Sequence, residues 1–109
     1  MKEGIRIESV GDYSVVRIIQ KILNAPMVRD VFDELVALAE ARRNLAVDVT
    51  HVRHIDSVGL SLLLALRSRA HRAGSSMVLL GVRDSLKETL RLAGLGEVFQ
   101  MIDTEPRDH

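Results

Sequence analysis

The apolar residues of this chain change their spacing along its length, and that change limits the folds open to it. Near the start Ile5 and Ile7 alternate with Arg6 and Glu8, the two-residue period of a strand with one wet face. Gly11-Asp12 marks a tight turn, and the β-branched run at 13–19 returns as a second strand. Asn24-Ala25-Pro26 then reads as a helix start, with Asn24 as the capping candidate. Beyond it Val28, Val31, Phe32, Leu35, Leu38 and Ala39 fall three and four apart, the buried stripe of an amphipathic helix. Residues 45–50 form a short β-branched strand, and a second helical pattern begins near Ser57 or Val58 and runs to Ala73, where Gly74 stops it. Residues 77–82 are apolar on both faces, as an inner strand of a parallel sheet should be. Asp84 or Ser85 is expected to cap a third helix carrying Leu86, Leu90, Ala93 and Leu95, with Gly94 and Gly96 at its end. A last short strand is expected at 98–102, and 104–109 reads as a frayed tail.

The resulting order is β-β-α-β-α-β-α-β, an α/β domain. Its expected sheet is mixed and mostly parallel, with four to five strands, an N-terminal hairpin and three or more packed helices. The 109 residues suit one domain, 1–109, with a core at about 4–103. An apolar fraction of 47% is sufficient for a core without staples, and with no cysteine there is neither a disulfide nor a thiolate site. Fifteen basic residues balance fifteen acidic ones, and aromatics amount to 3%. Direct nucleic-acid binding is therefore not expected, because it needs basic excess and stacking rings. The longest near-apolar run, 58–66, is nine residues and is interrupted by Gly59 and Ser61. A membrane span needs about 20. The first eight residues carry no apolar signal-peptide core, so the expected compartment is the cytoplasm.

Most of the chain reads as scaffold. The exception is His54-Ile55-Asp56-Ser57-Val58-Gly59-Leu60, where a strand gives way to a helix. Asp or Ser at such a junction caps orphaned backbone N–H groups, and Ser57 taken singly reads as the N-cap. The helix beyond it is unusual. No charged residue occurs between Asp56 and Arg67, and Val58, Leu60, Leu62, Leu63, Leu64, Ala65 and Leu66 cover more than one helix face. A surface helix needs an apolar arc of only about 100°. Gly59 costs about 1 kcal/mol against Ala inside a helix, so a close backbone approach, by the sheet or by a partner, is expected there. Surplus apolar surface beside an accessible serine points to a docking patch.

This segment resembles the STAS domains of the anti-sigma-factor antagonists. The resemblance is carried by Asp56-Ser57-Val58-Gly59-Leu60, by the preceding Val47-Asp48-Val49 strand, by Ala73-Gly74 with the strand at 77–80, and by Leu92-Ala93-Gly94-Leu95 with Val98-Phe99. It runs from the opening hairpin to about Ile102. One departure stands out: where such domains usually show a Gly-acidic-apolar-Asp stretch, this chain has Gln20-Lys21-Ile22-Leu23-Asn24.

The resemblance implies that Ser57 is a phosphoacceptor and that the chain is not an enzyme and needs no cofactor. The implied partner is an anti-sigma factor that is also a serine kinase: the unmodified domain binds it and frees a sigma factor. Phosphorylation of Ser57 ends the binding, and a phosphatase resets it. Asp56 would orient the hydroxyl or touch the kinase. Gly59, Leu60 and Leu63 or Leu64 would line the contact, with Val58, Ser61 and Asn24 beside them. A second reading keeps the fold and makes the domain a docking subunit of a transporter complex of the ABC lipid-transport type, without a phospho-switch.

Two further constellations are weaker. An esterase-like nucleophile elbow at Ser57 lacks a glycine at Ile55 and any oxyanion loop. His51 and His54 lack the carboxylates or thiolates that would complete a metal shell, so no metal is expected. Arg67, Arg69, His71 and Arg72 form a basic strip that could touch an acidic partner or anionic lipid, although solvated charge is the simpler account.

Overall fold

The computed structural model describes residues 4–103, so the expected tail at 104–109 lies outside the described residues. Strands β1 (Ile5–Val10) and β2 (Tyr13–Ile18) form the antiparallel hairpin, turning at Gly11, whose φ of 56° is the left-handed conformation that glycine favours. A short strand β3 (Ile22–Leu23) leads into helix α1 (Ala25–Ala39), and β4 (Asn44–Asp48) follows. A second short strand, β5 (His54–Ile55), leads into α2 (Ser57–Arg72). The chain closes with β6 (Met77–Leu80), α3 (Asp84–Leu92) and β7 (Gln100–Ile102).

Five strands build the main sheet in the order β1-β2-β4-β6-β7, antiparallel only at the hairpin. The mixed, mostly parallel sheet and the three helices match the expected α/β class. The expected strand order omits β3 and β5, which pair in parallel as a separate two-stranded sheet.

The main core lies between one face of the sheet and the helices. Ile5, Val16, Ile18, Leu45, Val47 and Leu79 meet Val31 and Leu35 of α1, Leu62, Leu63 and Leu66 of α2, and Leu86 and Leu90 of α3. Each such side chain contributes about 1.5–3 kcal/mol when fully buried. On the opposite face Val15, Ala46 and Val78 form a smaller cluster with Val10, Tyr13 and Ile102.

Helix ends follow local chemistry, with two corrections. At α1 the Asn24 side chain accepts from Met27 N at 3.4 Å, as expected of a cap. The N-cap of α2 is Asp56 and not Ser57, and its C-cap is Ala73, followed by Gly74 with φ 82°. At α3 neither Asp84 nor Ser85 is the cap. Arg83 occupies that position without a side-chain bond, and Asp84 sits in the first turn, where its charge suits the helix dipole. Ala93 and Leu95 lie beyond the end of α3.

Candidate functional site

The two helices that flank the site begin side by side because the strands before them pair in register. Ile22 aligns with His54 and Leu23 with Ile55, and Lys21 O accepts from both Arg53 N (2.7 Å) and His54 N (3.1 Å). Leu23 O in turn accepts from Asp56 N at 3.2 Å. One residue later Asn24 caps α1 and Asp56 caps α2.

Asp56 joins these starts. Its Oδ1 accepts from Gly59 N at 2.9 Å and its Oδ2 accepts from Ala25 N at 3.3 Å. A single carboxylate therefore satisfies an N–H at the head of each helix, a place where negative charge is favourable.

Gly59 explains how close the elements stand. A Cβ there would meet Leu23 O at 2.4 Å and Ile55 Cγ1 at 2.7 Å. The close approach comes from β3 and β5. Gly59 is buried, and its place in the site is as the spacer that lets α2 sit on β3.

Ser57 is the first residue of α2 and is exposed. Its hydroxyl makes no hydrogen bond to another described residue, because Asp56 does the capping. Leu60, Ser61 and Leu64 follow at helical spacing on the same face. Leu60 is half-buried, Ser61 is exposed and Leu64 is 36% exposed. Val58 flanks them at 39% exposure, whereas Leu63 is wholly in the core. Between the two leucines left open by the sequence, only Leu64 is on the surface. The structure thus brings Asn24, Asp56, Ser57 and Val58 to one end of the domain and extends that surface along α2 through Leu60, Ser61 and Leu64.

The departing stretch 20–24 contains β3 and lies beside the start of α2, although only Asn24 of it is a site candidate from the sequence. Ile19 and Ile22 are exposed at 43% and 46%, and Lys21, Arg53 and His54 are exposed around them. The available signal was an isoleucine inside an otherwise polar Gln20-Lys21-Ile22 stretch. Among the described residues no group of three or more metal-ligating side chains is present.

Asp48, noted in the sequence only as part of a strand, ends β4. It accepts from Thr50 N (2.9 Å), Thr50 Oγ1 (2.6 Å) and Arg17 Nη1 (2.9 Å), while Arg17 also pairs with Glu8. Burial pushes its carboxyl up, yet the bonds from Thr50 and Arg17 outweigh that and hold it below the usual aspartate value. Its role is to fix the loop at Thr50, the connection that leads to β5.

Comparison with known proteins places this geometry. The family model of the STAS domain matches residues 5–107. Among solved structures, an anti-sigma-factor antagonist (STAS) domain protein from Planctomyces limnophilus superposes with a TM-score of 0.82 at 19% identity, covering 93% of this chain and 90% of that one. The anti-sigma factor antagonist SpoIIAA in its unphosphorylated form gives 0.76 at 17% identity, over 93% and 88% of the two chains. Bacillus SpoIIAA in its phosphorylated form gives 0.72 at 17% identity, over 93% and 91%. A sulfate transporter family protein from Wolinella succinogenes gives 0.71 at 20% identity, over 88% and 81%. The family match spans nearly the whole chain, and the mixed five-stranded sheet fits it: this chain belongs to the STAS domain family.

Proposed function

We propose that this chain is an anti-sigma-factor antagonist, a cytoplasmic binding protein and not an enzyme. Its unmodified form binds an anti-sigma factor with serine-kinase activity and releases a sigma factor. Phosphorylation of Ser57 ends that binding, and a phosphatase restores it.

One observation carries the reading: the Ser57 hydroxyl is exposed at the start of α2 and is not used as a cap, since Asp56 holds Gly59 N. A kinase can reach it without dismantling the helix. The phosphoryl group adds about −1.5 to −2 charges, and a helix N-terminus accommodates anions, so the modified domain stays folded. The partner is what feels the change. Unit charges about 5 Å apart repel by roughly 3 kcal/mol at an effective dielectric near 20, and a partner covering both Asp56 and a phosphoserine meets clustered anions. A loss of that size weakens binding roughly a hundredfold.

The likeness to SpoIIAA, known in unphosphorylated and phosphorylated forms, supports this reading. The likeness to a sulfate transporter family protein favours a second one, in which the domain docks within a transporter assembly and Ser57 is never modified. Among the described residues no helix is long and apolar enough to cross a membrane.

The deciding experiment is intact mass after incubation with ATP and the host's candidate anti-sigma kinases, with the site mapped. One phosphoryl group on Ser57 is the expected result. No modification by any of them, together with capture of a transporter ATPase in a pull-down, favours the second reading.

A further inference from the structure

The surface beside Ser57 carries a charge that the chain as a whole does not. The protein has zero formal net charge, yet the β3–β5 ladder sets Lys21 next to Arg53, with Ile22 and His54 aligned beyond them. All four side chains are exposed, Ile22 at 46%. Among the described residues neither Lys21 nor Arg53 has a carboxylate within ion-pair distance, whereas Arg17, Arg69 and Arg91 all do. The nearest acid along the strand is Asp56, and its two oxygens are already engaged by Gly59 N and Ala25 N. An apolar centre with an unneutralised basic rim therefore adjoins the serine.

We propose that this rim is a docking surface for an acidic, amphipathic segment of the partner, which seats an apolar side chain on Ile22 and carboxylates on Lys21 and Arg53. The inference rests on the reading of Ser57 as the switch and names the partner's chemistry. It also gives the switch a second lever. Arg53 and Ser57 lie four residues apart, at most about 13 Å along an extended chain. That is well within the Debye length of about 30 Å at 0.01 M salt and slightly beyond the roughly 10 Å at 0.1 M, so this lever is strongest at low salt. A phosphoryl group there turns a local positive surplus negative, and an acidic segment is then repelled by the surface that drew it.

The test uses two defined peptides on the isotope-labelled chain: an amphipathic helix of Glu and Leu, and its Lys-and-Leu counterpart. The Glu peptide is expected to shift the amides of Lys21, Ile22, Arg53 and Val58, and the effect is expected to fade with added salt. The Lys21→Glu/Arg53→Glu double variant alters only exposed side chains and is expected to weaken that binding about tenfold. Equal binding of both peptides, or shifts centred instead on the Arg67–Arg72 strip of α2, overturns the proposal. The double variant is then assayed against whichever anti-sigma kinase modifies Ser57. Unchanged affinity there sinks the basic rim and leaves the phospho-switch standing. If no kinase modifies Ser57 but the Glu peptide still binds at β3–β5, the rim stands and the switch falls.

Discussion

The Asp56 carboxylate accepts the backbone N–H of Ala25 at 3.3 Å, tying the head of one helix to the cap of the next. Its other oxygen holds Gly59 N, so the position of Ser57 is set by a side chain that faces both helices. Replacing Asp56 by Ala is expected to cost about 1–2 kcal/mol, the usual loss for an N-cap. Asp56→Asn keeps one acceptor oxygen and should cost less. Chemical denaturation of both variants checks the order, and faster exchange of the Ala25 amide in both marks the lost tie.

Gly59→Ala sets two effects against each other. Helix propensity favours Ala by about 1 kcal/mol, but the new Cβ would stand 2.4 Å from Leu23 O, a backbone atom that cannot swing away. Overpacking of this kind costs about 1–3 kcal/mol, so the variant should be destabilised. A melting temperature at or above that of the parent would show that β3 yields freely.

Ser57→Asp and Ser57→Ala should both fold like the parent, since the exposed hydroxyl makes no hydrogen bond to another described residue. Ser57→Asp is expected to bind the anti-sigma kinase roughly a hundredfold more weakly. Ser57→Ala should bind and resist modification. Full affinity in Ser57→Asp, measured by calorimetry, removes the switch.

Adjacent leucines should behave oppositely. Leu63 is fully buried, and Leu63→Ala is expected to cost about 2–5 kcal/mol of stability. Leu64 is exposed, and Leu64→Arg should leave stability within about 0.5 kcal/mol while weakening partner binding. Thermal melts paired with a binding assay separate the two.

Asp48 contributes a pH dependence whose sign follows from its lowered pKa. In the unfolded chain it titrates at the ordinary aspartate value, and in the fold it stays ionised to lower pH. Its stabilisation is therefore full above the ordinary value and is lost as pH falls through the folded one. Acid unfolding of Asp48→Asn should lack that part of the slope. An unchanged slope would mean that Thr50 and Arg17 do not hold the charge.

The main sheet and three helices are legible in the sequence because their periods are sustained over many residues, as in the stripe from Val28 to Ala39. Strands β3 and β5 are not, since two residues carry no period and each is defined by a partner some thirty positions away. The cap of α2 lies one residue before the position the sequence suggests, because Asp56 and Ser57 are equally good caps and only the bond to Gly59 N separates them. Leu63 and Leu64 cannot be told apart in a helix apolar nearly all round, where packing against α1 and the sheet sets which face turns inward. Ser57 itself is visible because it opens the uncharged stretch between Asp56 and Arg67.

The ladder between β3 and β5 has an evolutionary corollary. Main-chain bonds hold its shape, while the side chains at Lys21, Ile22, Arg53 and His54 point outward. If that rim docks a partner as proposed, mutations there would redirect whom the domain recognises without disturbing how it folds, a few outward letters changed on a constant skeleton.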